Sequence, residues 1–552
     1  MKKGLILIIV TFVIISLSVG FSIYNAELMI SGDAVVRSNN EIRITNIQLL
    51  NTNNDGKENY SPKYSKDTTT ISILLPNQNS TVTYEIEVEN KSDDKYLLEN
   101  ITENSYTNKN ISYRIEGIST NEIIEANSKK IFTITFYYEK DINENIENTI
   151  ILKYEFRKYN ENDYLIVNLS EEMIPVKYIE KVGWVKTTED DTEWYDYTKQ
   201  QWANVVLDDA TFQDDILVEE EPYSMFVYIP RYAYKISNWH SNNPGNIDIV
   251  FLNEKNQDMN GKKYQSTYEE AINGLTSNEE MNNYVVHPAF TFENKELNGI
   301  WVEKFESSFI NAPDNKEAEG YNGTDRKAQI KGGVSSWRGI NINNAFLVSK
   351  NFNSNLNSHL LKNSEWGAVA YLSKSKYGKN DEVWINPNSN YITGEAGIKV
   401  DDEQKSNTYN YKTINGFEAS TTGNITGIYD MSGGSWEYVS AYLNNNHENL
   451  NLFGKSLVET VDSYKNVYVP SNIDDILNNY ESNKFSYGDA IYETSENSSW
   501  YNDFFLFLYT HNPFFTRGGG CEATNLSGLF AFSHYHGDAY DIVGFRISLF
   551  AL

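Results

Sequence analysis

GNITGIYDMSGGSWEYVSAY, residues 423–442, is the stretch whose reading decides the fold. Gly433 and Gly434 leave bare backbone just ahead of Trp436, a large ring placed where main chain can approach closely. That pairing reads as a core anchor in an irregular domain. Glu437, next to the ring, suits bonding to loop backbone or helping to hold a cation. Two later segments share this texture, FFTRGGG at 514–520 and IVGFRISL at 542–549. In each an arginine stands beside glycine, Arg517 in one and Arg546 in the other. A guanidinium there pins loop carbonyls or pairs with an acid such as Asp430.

Together the three segments resemble the formylglycine-generating enzyme (sulfatase-modifying factor) superfamily, whose fold is a variant of the C-type lectin fold. The family pattern runs D-M-x-G-N-V-W-E-W, later R-G-G, and finally G-F-R near the terminus. Here Asp430, Met431, Gly433, Trp436 and Glu437 match the first part, Arg517, Gly518 and Gly519 the second, and Gly544, Phe545 and Arg546 the third. Order and spacing agree. GIWVEKFESS (299–308) is similar to the family's early strand and KNSEWGAVAYL (362–372) to its Trp-bearing helix. The resemblance covers residues 170–552, most specifically 299–552.

The same resemblance supplies a test for catalysis. Oxygen-dependent members use two cysteines shortly after R-G-G to bind copper, a choice that fits the softness of thiolate ligands. This chain has one cysteine, Cys521, so a paired site cannot form. The sulfoxide-synthase branch uses a three-histidine iron site partly on an added helical domain, and no matching helical motif is present. Family calcium sites draw on the Asn and Glu of G-N-V-W-E; Gly434 replaces the Asn here, leaving Glu437. Calcium stays an option in a chain rich in oxygen ligands, and no specific metal site is assigned.

GLFAFSHYHGDAYDIVGFR, residues 528–546, carries two of the chain's seven histidines. On a strand, His534 and His536 would share one face and could bind a metal with Asp538 or His511, although two ligands constrain a metal loosely. A nucleophilic role for Cys521 lacks a recognisable base or second thiol. In lectin-fold proteins diversified by retroelements, variable positions lie between R-G-G and G-F-R while Gly and Phe stay as scaffold. No Lys, Gln, Met or Trp occurs in the 23 residues from Cys521 to Val543, as expected of mutagenised Asn codons, which also never give Glu; Glu522 is the exception. Tyr, His, Ser, Asn and Asp also supply adaptable contacts and rigid aromatic area, as in antibody paratopes. An ordinary turn-rich C-terminus closing the core is the plain alternative.

Composition bounds the remaining possibilities. At 552 residues the chain is too long for one core. A net charge of −30 lacks the Lys/Arg excess that binding nucleic acid needs, and one cysteine excludes a disulfide framework. Lys2 and Lys3 precede GLILIIVTFVIISLSVGFSIY, an uncharged run long enough to span a bilayer, with Ser18-Val19-Gly20 as a competing cleavage site. Residues 25–160 alternate with period two, as in TVTYEIEV, KIFTITFYY and TIILKYEF, which suggests an Ig-like sandwich. Helices are expected within 266–285 and 359–378, loops over 380–425 and 443–500, and an edge or kinked strand at Pro230.

The expectation is an α+β chain in four parts: a transmembrane anchor or signal peptide (1–24), an Ig-like β-sandwich stalk (25–160), a linker (161–172) and a formylglycine-generating-enzyme-like, C-type-lectin-fold domain (173–552). The chain would be exported and held at the cell surface by the N-terminal membrane helix, or secreted if that helix is cleaved. It would bind an unidentified surface ligand, protein or glycan, and no nucleic acid. The contact face would comprise Cys521, Glu522, Asn525, Ser533, His534, Tyr535, His536, Asp538, Tyr540, Asp541, Ile542 and Val543. No catalytic residue and no required cofactor are assigned. Alternatives are a metal-dependent oxygenase of the same superfamily and a structural envelope protein.

Overall fold

The computed structural model describes residues 42–551 except 78, 104–110, 120–121, 139–145, 160–164, 166, 313–319 and 401–406. The chain divides into two compact units, residues 1–160 and 161–552. In the first, period-two patterning becomes two sheets. Val82, Tyr84, Ile86 and Val88 are fully buried, while Thr83, Glu85 and Glu87 on the opposite face of Thr81–Asn90 are only half-buried. This strand lies between Ile42–Asn53 and Ser128–Tyr138, and Ile111–Glu116 completes a four-stranded sheet. Five strands, Lys57–Tyr64, Thr68–Leu75, Ile146–Lys158, Tyr96–Glu103 and Ile123–Ile124, form the second. Ile71, Ile73 and Leu152 meet Ile86, Ile134 and Phe136 in one shared core.

In the second unit, a nine-stranded sheet runs in the order Phe212–Gln213, Ile216–Leu217, Gly183–Lys186, Met173–Ile179, Asn204–Leu207, Met225–Pro230, Gly299–Glu303, Ile547–Leu549 and His359–Leu360. Met225–Pro230 is an interior strand here rather than an edge. Pro230 is its last residue, opposite Gly299, a place where the missing N–H breaks no ladder. After Arg231 the chain enters a separate three-stranded sheet with Tyr232–Ile236. The helix Asn363–Ser373 is buried along its whole length. It packs so closely that a Cβ on Gly367 would stand 2.1 Å from the Gly488 carbonyl oxygen.

A smaller sheet is built on Trp436–Leu443, every residue of which is buried. Phe514–Arg517 pairs antiparallel on one side and is followed by Phe532–Tyr535. On the other side Val543–Phe545 and then Asn466–Tyr468 pair parallel along its length.

Several expectations are corrected. The described residues are mostly β-structure with few helices, not the α+β chain expected. No helix among them is long and apolar enough to cross a membrane, and residues 1–41 lie outside the described residues. The N-terminal membrane helix, and the surface localisation built on it, are withdrawn. The helix expected within 266–285 is only Tyr268–Ile272, since Asn273 leaves helical geometry and Gly274 turns at φ 76°. The segment 443–500, expected as loops, contains the helices Glu448–Glu459 and Ile476–Ser482.

Candidate ligand-binding face

Two fully buried arginines brace the smaller sheet. Arg546 makes a bidentate pair with Glu437, Nε to Oε2 at 3.0 Å and Nη2 to Oε1 at 2.8 Å. It also donates to the carbonyls of Glu303 and Tyr429. Arg517 donates to the carbonyls of Ala531, Asp489 and Ala490 and to Asn363 Oδ1, tying four segments together. Burial pushes the Glu303, Glu306 and Asp430 carboxyls up from their ordinary range; neighbouring acids add to the rise at Glu303 and Glu306, while Arg546 opposes it at Glu303 and Asp430. Asp430 accepts from Gly394 N–H and Asn386, while Glu306 accepts from the Ser435 N–H and hydroxyl. Each Glu437 oxygen accepts one of these Arg546 bonds.

The glycines of the motifs have distinct tasks. Gly433 and Gly434 sit at φ 77° and 70°. A Cβ at Gly433 would meet the Asn386 backbone at 2.5 Å, and one at Gly434 would meet Glu306 Oε1 at 2.5 Å. Gly518 and Gly519 turn the chain at φ 85° and 73° into the 3-10 helix Cys521–Leu526. That helix is held at its start by the Cys521 N–H bond to Gly434 O, 2.7 Å, and by Trp436 Nε1 donating to Glu522 Oε1 at 3.0 Å.

The segment after Phe532–Tyr535 is held differently, through its main chain. Ile342 N–H donates to Gly537 O at 3.0 Å, the Tyr438 hydroxyl to Asp538 O at 2.8 Å, and Gly339 N–H to both Tyr540 O and Val543 O at 3.2 Å. The Arg338 guanidinium donates to Asp541 O, and Trp436 N–H to Ile542 O at 3.0 Å. Of the seven carbonyls from Gly537 to Val543, all but that of Ala539 are thus engaged by groups behind the segment. The side chains they carry are largely outside the core: His536, Tyr540 and Asp541 are exposed, and Asp538 and Ile542 half-buried. Tyr535 and Tyr540 rings meet at 5.5 Å.

Not every expected contact residue reaches this surface. Cys521, Asn525, His534 and Tyr535 are half-buried and Glu522 is exposed, but Ser533 and Val543 are buried. Ser533 faces inward opposite Thr516 in the ladder, and Val543 lies against Trp436 in the parallel pair. The two histidines do not share a strand face, since the strand stops at Tyr535 and Gly537 turns at φ 103°. His534 Nδ1 lies 2.7 Å from Asn512 Nδ2, its ring meets Tyr509 at 4.7 Å, and burial pulls its pKa down to about 4. Among the described residues no group of three or more His, Cys, Asp or Glu side chains is placed to hold a metal ion. Burial, reinforced by Glu522, pushes the Cys521 thiol up to about 12, opposite to what a nucleophilic thiolate needs.

The sequence reading missed Arg338, Gly339, Tyr391 and Tyr438. Arg338 stacks 3.8 Å above the Tyr391 ring, which itself borders Cys521. The signal was present in SSWRGI, residues 335–340, where an arginine stands beside glycine as Arg517 does.

No family model matches the chain, and no curated protein sequence matches it. The formylglycine-generating-enzyme resemblance is therefore without a family match, and the sulfatase-modifying-factor assignment is withdrawn. Among solved structures, the chain is similar to the Major Tropism Determinant M1 variant at 9% identity and a TM-score of 0.23, over 81% of this chain and 82% of that one. It is also similar to the yeast GGA1 GAE domain at 10% identity and a TM-score of 0.10, over 18% of this chain and 95% of that one. TM-scores this low carry no argument about fold or function.

Proposed function

We propose that residues 161–552 form a ligand-binding module whose contact face is made by the 3-10 helix Cys521–Leu526 and the segment from His534 to Ile542. The observation that carries this reading is the division of labour in that segment. The scaffold grips its carbonyls, and the fold makes little use of the side chains at His536, Tyr540 and Asp541. A surface held this way tolerates changes of side chain without changes of backbone, as paratope loops do. Exposed Tyr540 and half-buried Tyr535 supply aromatic area, with Glu522, His536, Asp538 and Asp541 as polar contacts. A protein or glycan is the ligand in this proposal, and the reading invokes no catalytic step and no required cofactor.

The test replaces His536, Tyr540 and Asp541 together with Ser in the full chain and compares binding to arrayed proteins and glycans. The reading expects part of the bound set, the ligands held by this face, to be lost from the triple variant while thermal unfolding stays within about 3 °C, since surface changes away from packing contacts cost little. An unchanged binding profile, or unfolding of the triple variant, would sink it.

A further inference from the structure

A concave site lined by none of residues 521–543 lies in the second unit. It is a groove of about 690 Å³, within the size range of small-ligand sites. Three separated segments build it: Trp239 and His240, Glu269–Ser277, and Lys484–Tyr492. Its base is stiff. The His240 and Tyr492 rings stack in parallel, with centroids 4.1 Å apart and planes 4° off, and Trp239 Nε1 donates to the Tyr268 hydroxyl at 3.0 Å. His240 is held at φ 48°, a region uncommon for a side-chain-bearing residue. Two bonds keep it there, its N–H to Glu493 O at 2.8 Å and its Nδ1 to Tyr492 O at 3.1 Å. Because a carbonyl only accepts, Nδ1 carries the proton in that bond.

The wall is apolar where it is most exposed. The Phe485 ring is 51% exposed, and Ile272 and Leu275 are half-buried beside it. The rim is polar, with Glu269, Asn273 and Lys484 exposed. Lys484 Nζ lies over the Phe485 ring, 5.1 Å from its centroid, and the ring area still exposed, with amide and carboxylate groups beside it, matches a ring that is apolar on one side and rimmed by hydroxyls. Charge narrows the class further. Glu269 lines the groove, and Glu279 and Glu496 stand behind Thr276 and Ser277, whose hydroxyls donate to them. Lys484 is the sole cation among the lining residues, so an anionic sugar meets net repulsion. We infer that this groove binds a neutral pyranose of a glycan, stacked on Phe485 and hydrogen-bonded along the Asn273–Glu269 rim. The site shares no residue with the face proposed above and stands or falls separately from it.

The experiment applies the full chain to immobilised oligosaccharides ending in neutral hexose or N-acetylhexosamine, and to their sialylated counterparts. Phe485→Ala, Phe485→Trp and Asn273→Ala are run beside it, and circular dichroism confirms that each is folded. The inference expects neutral glycans to bind, with about tenfold weaker binding for Phe485→Ala, a severalfold loss for Asn273→Ala, and retention by Phe485→Trp. Sialylated glycans should bind more weakly than their neutral counterparts. It is overturned if no neutral glycan binds up to millimolar concentration, if folded Phe485→Ala binds as well as the parent, or if the sialylated set is preferred.

Discussion

Replacing Tyr438 with Phe removes a single oxygen and leaves the ring packing intact. That oxygen's hydrogen donates to Asp538 O at 2.8 Å from a fully buried ring. A typical bond of this kind contributes about 1 kcal/mol net, and leaving a buried acceptor without its donor costs about 1–3 kcal/mol. Asp538 is only half-buried, so water reaches part of the orphaned carbonyl and the lower end applies, about 1–2 kcal/mol. The loss falls on the segment from Gly537 to Val543 rather than on the whole unit. Native-state hydrogen exchange therefore reads it better than thermal melting. The reporters are Val543 N–H, bonded to Tyr540 O at 2.9 Å, and Trp436 N–H, bonded to Ile542 O. At tenfold per 1.4 kcal/mol, both should exchange about 5–30 times faster in Tyr438→Phe. Tyr540→Ala, which removes an exposed ring, should leave them within about twofold. Unchanged exchange in Tyr438→Phe, or equal acceleration in Tyr540→Ala, would refute the view that the scaffold holds this segment by its carbonyls.

Two further outcomes follow from ionisable groups whose surroundings shift them. Burial raises the Glu365 pKa, but His359 at 3.0 Å and Lys362 outweigh it and bring the value from 4.5 to about 2. A depressed carboxylate stabilises the fold above its unfolded value and loses that contribution as pH falls. Glu365→Gln should thus remove most of the difference in urea stability between pH 6 and pH 2 at this site, about 3 kcal/mol; an unaltered pH profile contradicts the pairing. For Cys521, a thiol raised to about 12 holds so little thiolate at pH 8 that iodoacetamide should react about 100-fold or more slower than in urea. Equal rates would show the thiol to be open and ionised.

Local texture carried much of the fold, and distant partners carried the rest. TVTYEIEV shows its buried face in its own alternation, and Thr81–Asn90 follows it residue by residue. Glycine beside arginine marked Arg517 and Arg546 as braces, although the acid closing the Arg546 fork is Glu437, 109 residues earlier, rather than Asp430. The helix Ile342–Phe352 escaped notice because INNAFLVSKNF has the Asn content of a loop. Yet Asn341 caps it and Ile342, Ala345 and Phe346 are buried at helical spacing. Reading residues 533–543 as one continuous face ignored the pleat, which turns alternate side chains of a strand inward. Ser533 went into the sheet for that reason. Arg338 and Gly339 lie some 200 positions before the carbonyls they hold, a distance across which sequence spacing says nothing.

The central claim is that scaffold and displayed side chains are separate sets of residues. It is tested most directly by saturation mutagenesis of the full chain under display, with resistance to protease as the measure of folding. The account predicts that most substitutions at His536, Tyr540 and Asp541 keep the chain resistant, whereas most at Arg338, Gly339, Tyr438 and Trp436 do not. Comparable sensitivity in the two sets would contradict it.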